Sequence, residues 1–261
     1  MPQVTVPVID LEGKKAGKVE LSKIFDTPFR PDVIRKVVVA LQSHRIQPQG
    51  RDPMAGKRTT AQSWGVGFAT ARVPRVKGSQ YPAASSAAFI PSAVGGRSAY
   101  PPTIRKKIAK KVNKKERMLA FKSAVAATAK RELVEARGHK LLADVKFPIV
   151  ITDEVQGIET TRALGELLHS IGLSPDLDRI KDRFQGQTPK RRRRGRQPKH
   201  GKGPLIVISE DKGLIKASKN LLGVDVVKVS DLNTETLAPG GKAARLTIWS
   251  ASSIKELGRG E

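Results

Sequence analysis

The sequence predicts an α/β fold, a mainly parallel sheet covered by helices, interrupted by a long basic extended loop and carrying a shorter basic arm. Three observations predict it. Short apolar runs alternate with helical patterns through the C-terminal half, the pattern of a sheet whose strands are joined by crossover helices. From about Gln47 to Ile104 the chain loses all apolar periodicity. The charge is strongly one-sided, with 49 Lys plus Arg against 24 Asp plus Glu and a formal net charge of +25. With 261 residues and 38% hydrophobic content the chain is long enough to bury a sizeable core.

The elements follow in order. Val4, Val6 and Val8 alternate, the chain turns between Gly13 and Gly17, and Lys18-Val19-Glu20-Leu21 returns, which reads as a short hairpin. After Pro28, RPDVIRKVVVALQSHRI repeats its apolar residues at Val33, Ile34, Val37, Val38 and Leu41. This is an amphipathic helix with Pro31 in its first turn. Residues 47–104 are rich in Gly, Pro, Ser, Thr and Arg, and a coreless stretch of this length exceeds ordinary loops, so it is either disordered or functional. Ordering it would cost on the order of 1 kcal/mol per residue of backbone entropy without apolar burial to offset it, an expense a polyanion partner is suited to meet.

Periodic order resumes at VNKKERMLAFKSAVAATAKRELVEARGH, which predicts one long helix. Asn113 and Glu116 stand at capping-box spacing, Met118, Phe121, Val125 and Leu133 share a face, and Gly138 supplies the stop. Strands are then expected at Phe147 to Ile151, Leu205 to Ser209, Val224 to Val229 and Leu246 to Trp249. Helices are expected near Arg162 to Ile171, near Leu214 to Leu222 and in SASSIKEL. Ahead of Leu205 stands TPKRRRRGRQPKHGKGP, with eight Lys or Arg and no acid, an arm that self-repulsion should keep extended. The expected organisation is one globular α/β domain from residues 1–46 and 105–261, an extended nucleic-acid-binding loop at 47–104 inserted in it, and an Arg-rich arm at 185–204.

The charge points to a polyanion partner, and nucleic acid fits best because each neutralised phosphate releases counterions. A membrane fits poorly. No run of eighteen apolar residues occurs, and MPQVTVPVIDLEGKK lacks a basic segment followed by an apolar one, so a cytoplasmic protein is expected. Cys is absent, which removes disulfides, thiol catalysis and Cys-type zinc sites. At 4% the aromatic content is too low for repeated stacking platforms, so phosphate contact and shape should dominate.

Enzymatic motifs fail one by one. Gly195 followed by Gly201-Lys202 resembles a phosphate loop, but five residues separate the glycines, Gly203-Pro204 replace the magnesium-binding Ser or Thr, and a strand follows. Gly65-Val66-Gly67 lacks a third glycine and a preceding strand. Asp153-Glu154 at a strand end is the best catalytic candidate, yet acids there commonly cap helices, and no third ligand stands at recognisable spacing. His44, His139, His169 and His200 are scattered, so no metal site, catalytic residue, cofactor or small-molecule substrate is expected.

Three separate basic segments carry the binding expectation. The loop supplies Arg45, Arg51, Lys57, Arg58, Arg72, Arg75, Lys77 and Arg97, with Asp52 its only acid. The approach to the long helix supplies Arg105, Lys106, Lys107, Lys110, Lys111 and Lys114, and the arm supplies Lys190, Arg191, Arg192, Arg193, Arg194, Arg196, Lys199 and Lys202. Arg suits phosphate because its planar fork can donate two bonds to one group, while Gly lets backbone approach closely. Trp64, Phe68 and Tyr81 would either stack on bases or pack within the loop.

KKVNKKERMLAFKSAVAATA resembles the helix that follows the long loop in the universal large-subunit ribosomal protein four family, in its archaeal or eukaryote-like form. QSWGVGFATARVPRVKG resembles the loop tip, and DLNTETLAPGGKAARLTIWS the C-terminal strand region of the archaeal type. The resemblance spans nearly the whole chain. It implies a structural protein with its α/β body on the outside of the large subunit and a loop threaded into rRNA. The loop tip would lie near the wall of the nascent-peptide exit tunnel, beside another ribosomal protein. On that reading the cations above bind large-subunit rRNA and help subunit assembly. The stretch from Gly65 to Arg75 lies nearest the tunnel, with Gly65, Val66, Gly67, Phe68, Ala69, Thr70, Ala71 and Arg72 meeting the nascent peptide transiently. The tip carries less positive charge than the bacterial pattern, and the arm after Gln187 has no bacterial counterpart and fits the archaeal type. Half the loop each way could reach at most roughly 90 Å at about 3.3 Å per residue. The rival is a DNA-binding regulatory protein, which would want a recognition helix or a dimer element, and neither is visible.

Overall fold

The computed structural model describes residues 5–142, 145–182, 188–196 and 201–259. Its contacts divide the chain into two units, Met1–Gln42 with Lys111–Glu261, and Ser43–Lys110.

In the first unit β1 (Thr5–Ile9) and β2 (Lys15–Glu20) form the expected antiparallel hairpin, with a bulge where the register shifts between Val8 and Ile9. The turn is built by Asp10, whose carboxylate accepts from the Leu11 N–H at 2.7 Å and whose carbonyl accepts from the Gly13 N–H at 3.0 Å. Gly13 has φ +83°, and a Cβ there would meet the Ser170 carbonyl oxygen at 2.9 Å. Helix α1 (Pro31–Ser43) starts at the proline and buries Ile34, Val37 and Val38. Strands β3 (Ala61–Gln62) and β4 (Arg75–Val76) belong to the second unit.

The first unit continues with α2 (Lys114–Thr128), α3 (Arg131–Arg137), β5 (Ile149–Ile151), α4 (Thr161–Ser170), α5 (Ser174–Asp182) and α6 (Pro189–Arg193). It ends with β6 (Leu205–Ile208), α7 (Leu214–Ser218), β7 (Asp225–Lys228), α8 (Thr234–Leu237), β8 (Thr247–Ser250) and α9 (Ala251–Arg259). Six strands form one sheet in the order β2-β1-β5-β8-β6-β7, and every neighbouring pair except β1 with β2 is parallel. This is the mainly parallel α/β sheet that the alternating runs predict.

Because successive side chains of a strand point to opposite faces, the central strands divide between two cores. Val150, Leu205, Val207 and Trp249 join α1, α2 and α9 on one face, where the Trp249 ring meets Phe25 edge-on at 5.7 Å. Ile149, Ile151, Ile206, Ile208 and Ile248 join α4 and α5 on the other. Burial on both faces explains why these strands read as continuous apolar runs and not as alternation.

The predicted long helix is two helices. Thr128 bonds its hydroxyl back to the Val125 carbonyl at 2.7 Å, the last turn tightens through Ala129 N–H to Ala126 O, and Lys130 is extended at φ −96° and ψ 109°. Both cores are met along this stretch: Ala120, Ala124, Val125 and Ala129 pack in one, whereas Ala127 and Val134 belong to the other. The expected apolar face is corrected with it, since Met118 is 47% exposed and the buried face of α2 is made by Ala120 and the run from Ser123 to Thr128. The capping box also does not form. Asn113 makes no side-chain cap, and Glu116 instead holds Lys36 at 2.9 Å. Gly138, at φ 103°, does end α3. Helices α5, α6 and α8 were not expected from the sequence.

Candidate nucleic-acid interface

The second unit is ordered without a sizeable apolar core, and of its hydrophobic residues only Ala88 is buried. Backbone bonds take the place of that core. The Arg51 N–H donates to Pro102 O at 3.2 Å and the Lys110 N–H to Ser43 Oγ at 2.9 Å, so the outgoing and returning chains run together near their ends. Further out Ala61 pairs with Val76 and Gln62 with Arg75. The far side of β4 is covered by Val76 N–H to Ser86 O at 3.0 Å and Ala88 N–H to Pro74 O at 2.8 Å. Glycine makes the close approach possible, since a Cβ on Gly96 would lie 2.0 Å from the Ile90 carbonyl oxygen. A segment expected to lack any strand period therefore holds a short ladder, invisible to periodicity because each strand has two residues.

Arg45, Arg51, Lys57, Arg58, Arg72, Lys77, Arg105, Lys106, Lys107 and Lys110 are exposed on this unit, and Arg75 and Arg97 are half-buried. Asp52 is occupied by Arg58 at 2.6 Å, so the acid cancels a neighbour and the surface is otherwise basic. Arg51, Lys57 and Arg97 line one small cavity of about 90 Å³ with Ser98 and Pro101.

The tip runs through Gly65, Val66, Gly67, Phe68, Ala69, Thr70, Ala71 and Arg72, all exposed. It is closed by Ser63, whose hydroxyl donates to Arg72 O at 2.9 Å and accepts from the Gly65 N–H at 3.3 Å. Positive φ at Gly65, Gly67 and Ala69 makes the reversal. Trp64 and Phe68 sit 5.9 Å apart, and the Arg75 guanidinium lies 5.5 Å from the Trp64 ring centre. Sequence reading had no signal for that last contact, because Trp64 and Arg75 meet only through the register of the hairpin. Tyr81 is used internally, donating its hydroxyl to Lys77 O and lying against Gly78.

In the first unit Lys111 and Lys114 are exposed at the start of α2. The arm was expected to be extended, but Pro189–Arg193 forms one helical turn, α6, closed by Gly195 at φ 63° donating to Arg192 O at 2.9 Å. Pro at the first helical position and Arg near the C-terminal end both favour the turn. Lys190, Arg192, Arg193, Arg194 and Arg196 are exposed and Arg191 half-buried, while Lys199 and His200 lie outside the described residues. Lys202, expected to face nucleic acid, is engaged by Asp225 at 2.9 Å.

Asp153, the best catalytic candidate, is spoken for. Its Oδ1 accepts from the N–H and hydroxyl of Ser252 at 2.9 and 2.6 Å, in the first turn of α9. Gln156 adds bonds to Ser209 at 3.0 Å and Ser252 at 3.1 Å. This polar cluster stands at the carboxyl ends of β5, β6 and β8, where an open α/β sheet commonly receives a ligand, and the chain's own carboxylate occupies the helix N-terminus there. Among the described residues no three His, Asp or Glu gather as a metal site, and no helix is long and apolar enough to cross a membrane.

Two buried charge clusters complete the body. Asp176 accepts from His139 Nδ1 at 3.1 Å and Arg179 Nε at 2.8 Å, and His139 Nε2 accepts from the Leu246 N–H at 3.3 Å. Arg245, 1% exposed, donates to Gly203 O at 2.7 Å and Gly223 O at 3.2 Å and pairs with Asp225 at 2.6 Å. Arg137 donates to Ala243 O at 3.0 Å and Pro239 O at 3.1 Å. Burial, then the nearby Arg245 and Arg179 charges, lower its pKa to about 10. These cations hold the β6–β8 connections together and face inward.

The sequence profile of the ribosomal protein L4/L1 family matches residues 19–260. A protein of Methanosphaera stadtmanae described as large ribosomal subunit protein uL4 is 47% identical over 253 residues, covering 97% of this chain and 96% of its own length. One of Saccharolobus solfataricus with the same description is 46% identical over 251 residues, covering 96% of this chain and 92% of its own. With a match across both the sheet-forming body and the basic excursion, the chain belongs to the ribosomal protein L4/L1 family.

Proposed function

We propose that this protein is a structural, non-enzymatic constituent of the large ribosomal subunit in the cytoplasm, associated with large-subunit rRNA and neighbouring ribosomal proteins. The observation that carries the reading is the unit Ser43–Lys110, a backbone-ordered excursion with exposed cations and one acid, already paired. Such a surface repels itself in water and gains counterion-release free energy when phosphates replace its salt atmosphere. The cations of residues 45–114 and those of the arm from Lys190 to Arg196 bind rRNA; Lys202, held by Asp225, contributes less. Residues 47–104 act as the rRNA-binding loop of a globular domain and help the subunit assemble. The tip from Gly65 to Arg72, uncharged until Arg72, lies at the wall of the nascent-peptide exit tunnel and meets the peptide transiently.

The test compares the intact protein with a variant whose residues 47–104 are replaced by a short Gly-Ser linker, binding large-subunit rRNA and duplex DNA over a range of salt. Preference for rRNA is expected, with affinity and salt slope both reduced in the variant. Equal binding to both polymers, unchanged by the replacement, would return the protein to the DNA-binding class.

A further inference from the structure

Three aromatic or cationic side chains near the loop tip are arranged in a way that phosphate binding does not require. Trp64 is 41% exposed and Phe68 59% exposed, with their ring centres 5.9 Å apart and their planes inclined by 60°. Large aromatic side chains left in water at this density need a reason, since each forgoes the stabilisation that burial would bring. The position of Trp64 is not accidental either. Arg75 is fixed by the ladder opposite Gln62 and by its own Nη1 donating to Ser85 O at 2.9 Å, and its guanidinium carbon lies 5.5 Å from the Trp64 ring centre. Ser63 ties the preceding backbone to Arg72. Ring and cation are therefore held in place before any ligand arrives, which lowers the ordering cost of binding.

We propose that the exposed Trp64 face, with Phe68 beside it and Arg75 against it, is a stacking site for one unpaired RNA base. The ligand class follows from the surroundings. A base presents a flat π-face to the indole and brings a phosphate with it, and Arg72, Arg75 and Lys77 adjoin the aromatic pair in sequence, with no acid but the already paired Asp52 between residues 45 and 110. An apolar peptide segment would use the rings but leave those cations without a counter-charge. The site adds a base contact to an otherwise phosphate-directed surface.

The proposal rests on the reading that this unit binds RNA, and the two fail differently. Dye-labelled short oligoadenylate and a dye-labelled abasic sugar-phosphate chain of equal length are titrated with the full chain, following dye anisotropy for the affinity of every variant and tryptophan fluorescence for the parent protein. Trp249 is fully buried, so quenching reports on Trp64. Oligoadenylate should quench the emission and bind about 5- to 30-fold more tightly than the abasic chain. Trp64→Leu should bring that ratio to near unity while leaving abasic affinity and its salt slope intact, and Trp64→Phe should restore part of it. A ratio that survives Trp64→Leu overturns the stacking site, and so does a wild-type protein that binds both chains equally. Quenching by an acidic apolar peptide but not by oligoadenylate overturns it in favour of a protein ligand. Failure to bind either chain at low salt overturns the RNA reading itself and the stacking site with it.

Discussion

Asp153 and Ser252, far apart in sequence, meet at the carboxyl edge of the sheet, where Asp153 Oδ1 accepts from both the backbone N–H (2.9 Å) and the hydroxyl (2.6 Å) of Ser252. Ser250 Oγ accepts from the next free donor, the Ser253 N–H, at 3.2 Å. Between them the two side chains satisfy two N–H groups of the opening turn of α9. Asp153→Ala is therefore expected to destabilise the first unit by about 1 kcal/mol in chemical denaturation, with Asp153→Asn milder. The double variant Asp153→Ala with Glu154→Ala should bind rRNA as the parent does. A large loss of RNA affinity at unchanged stability would contradict a purely structural role.

His139 sets an acid limit on the body. Asp176 cannot donate when ionised, so His139 Nδ1 carries the proton toward it, and Nε2 is left as acceptor for the Leu246 N–H at 3.3 Å. A second proton on the ring would face that N–H. Burial lowers the His139 pKa below its ordinary 6.5, against the opposing pull of Asp176. The unfolded chain thus takes up the proton first, and stability falls as pH drops below about 6.5. Burial alone would raise Asp176, but the bonds from His139 and Arg179 outweigh it and hold it below its ordinary 3.8. Its contribution is present above that value and lost in stronger acid. Denaturation midpoints between pH 7.5 and 5 should show the first loss, and His139→Asn, which keeps a donor for Asp176, should flatten it.

Arg245 replaces water for several carbonyls at once, so its removal should cost more than a surface ion pair. Its guanidinium reaches Gly203 O, Gly223 O, Thr236 O and Asp225 simultaneously. A lysine cannot span that fork. Arg245→Lys is expected to lower stability by about 2–4 kcal/mol, because buried carbonyls lose their donors. The neighbouring exposed pair offers a control: Lys202→Gln, at a largely solvated partner of Asp225, should lose less than about 1 kcal/mol.

The strands of the parallel sheet were legible because burial on both faces writes itself as unbroken Val, Ile and Leu. The division of the long helical pattern at Lys130 was not. Every residue from Lys114 to Arg137 is compatible with helix, and no Gly or Pro marks the tightened turn from Thr128 to the extended Lys130. The basic character of the loop was plain in composition, yet its internal order was hidden, since it rests on two-residue ladders and on glycines whose role is to let other backbone approach. Asp153 is legible in sequence as a strand-end acid, but its partner stands in another element, and local spacing carries no information about Ser252. Lys202 looked like its neighbours in the arm because sequence cannot see Asp225 beside it.

Gly96 offers the most direct link between the loop's backbone order and its function. Its missing side chain is occupied by the Ile90 carbonyl oxygen, 2.0 Å from where a Cβ would stand, with Ala93 O at 3.0 Å. Both obstacles are backbone, so Gly96→Ala forces the 90–96 turn to open. Gly56, at φ +75°, is packed against the same place, its Cβ position 2.5 Å from Gly96 O, and the displacement passes to the outgoing chain beside Lys57 and Arg58. The first unit does not depend on this packing. Gly96→Ala is therefore expected to leave the denaturation midpoint of the sheet-bearing body unchanged and to weaken rRNA binding severalfold at a nearly unchanged salt slope, because the cations remain but are no longer held in position. Gly95→Ala, at φ +71° with open space around it, brings backbone strain without collision, whereas Gly96→Ala brings collision without a positive φ. The loss at Gly95 should be the smaller, and equal losses at the two positions would mean that close backbone approach is not what organises the loop.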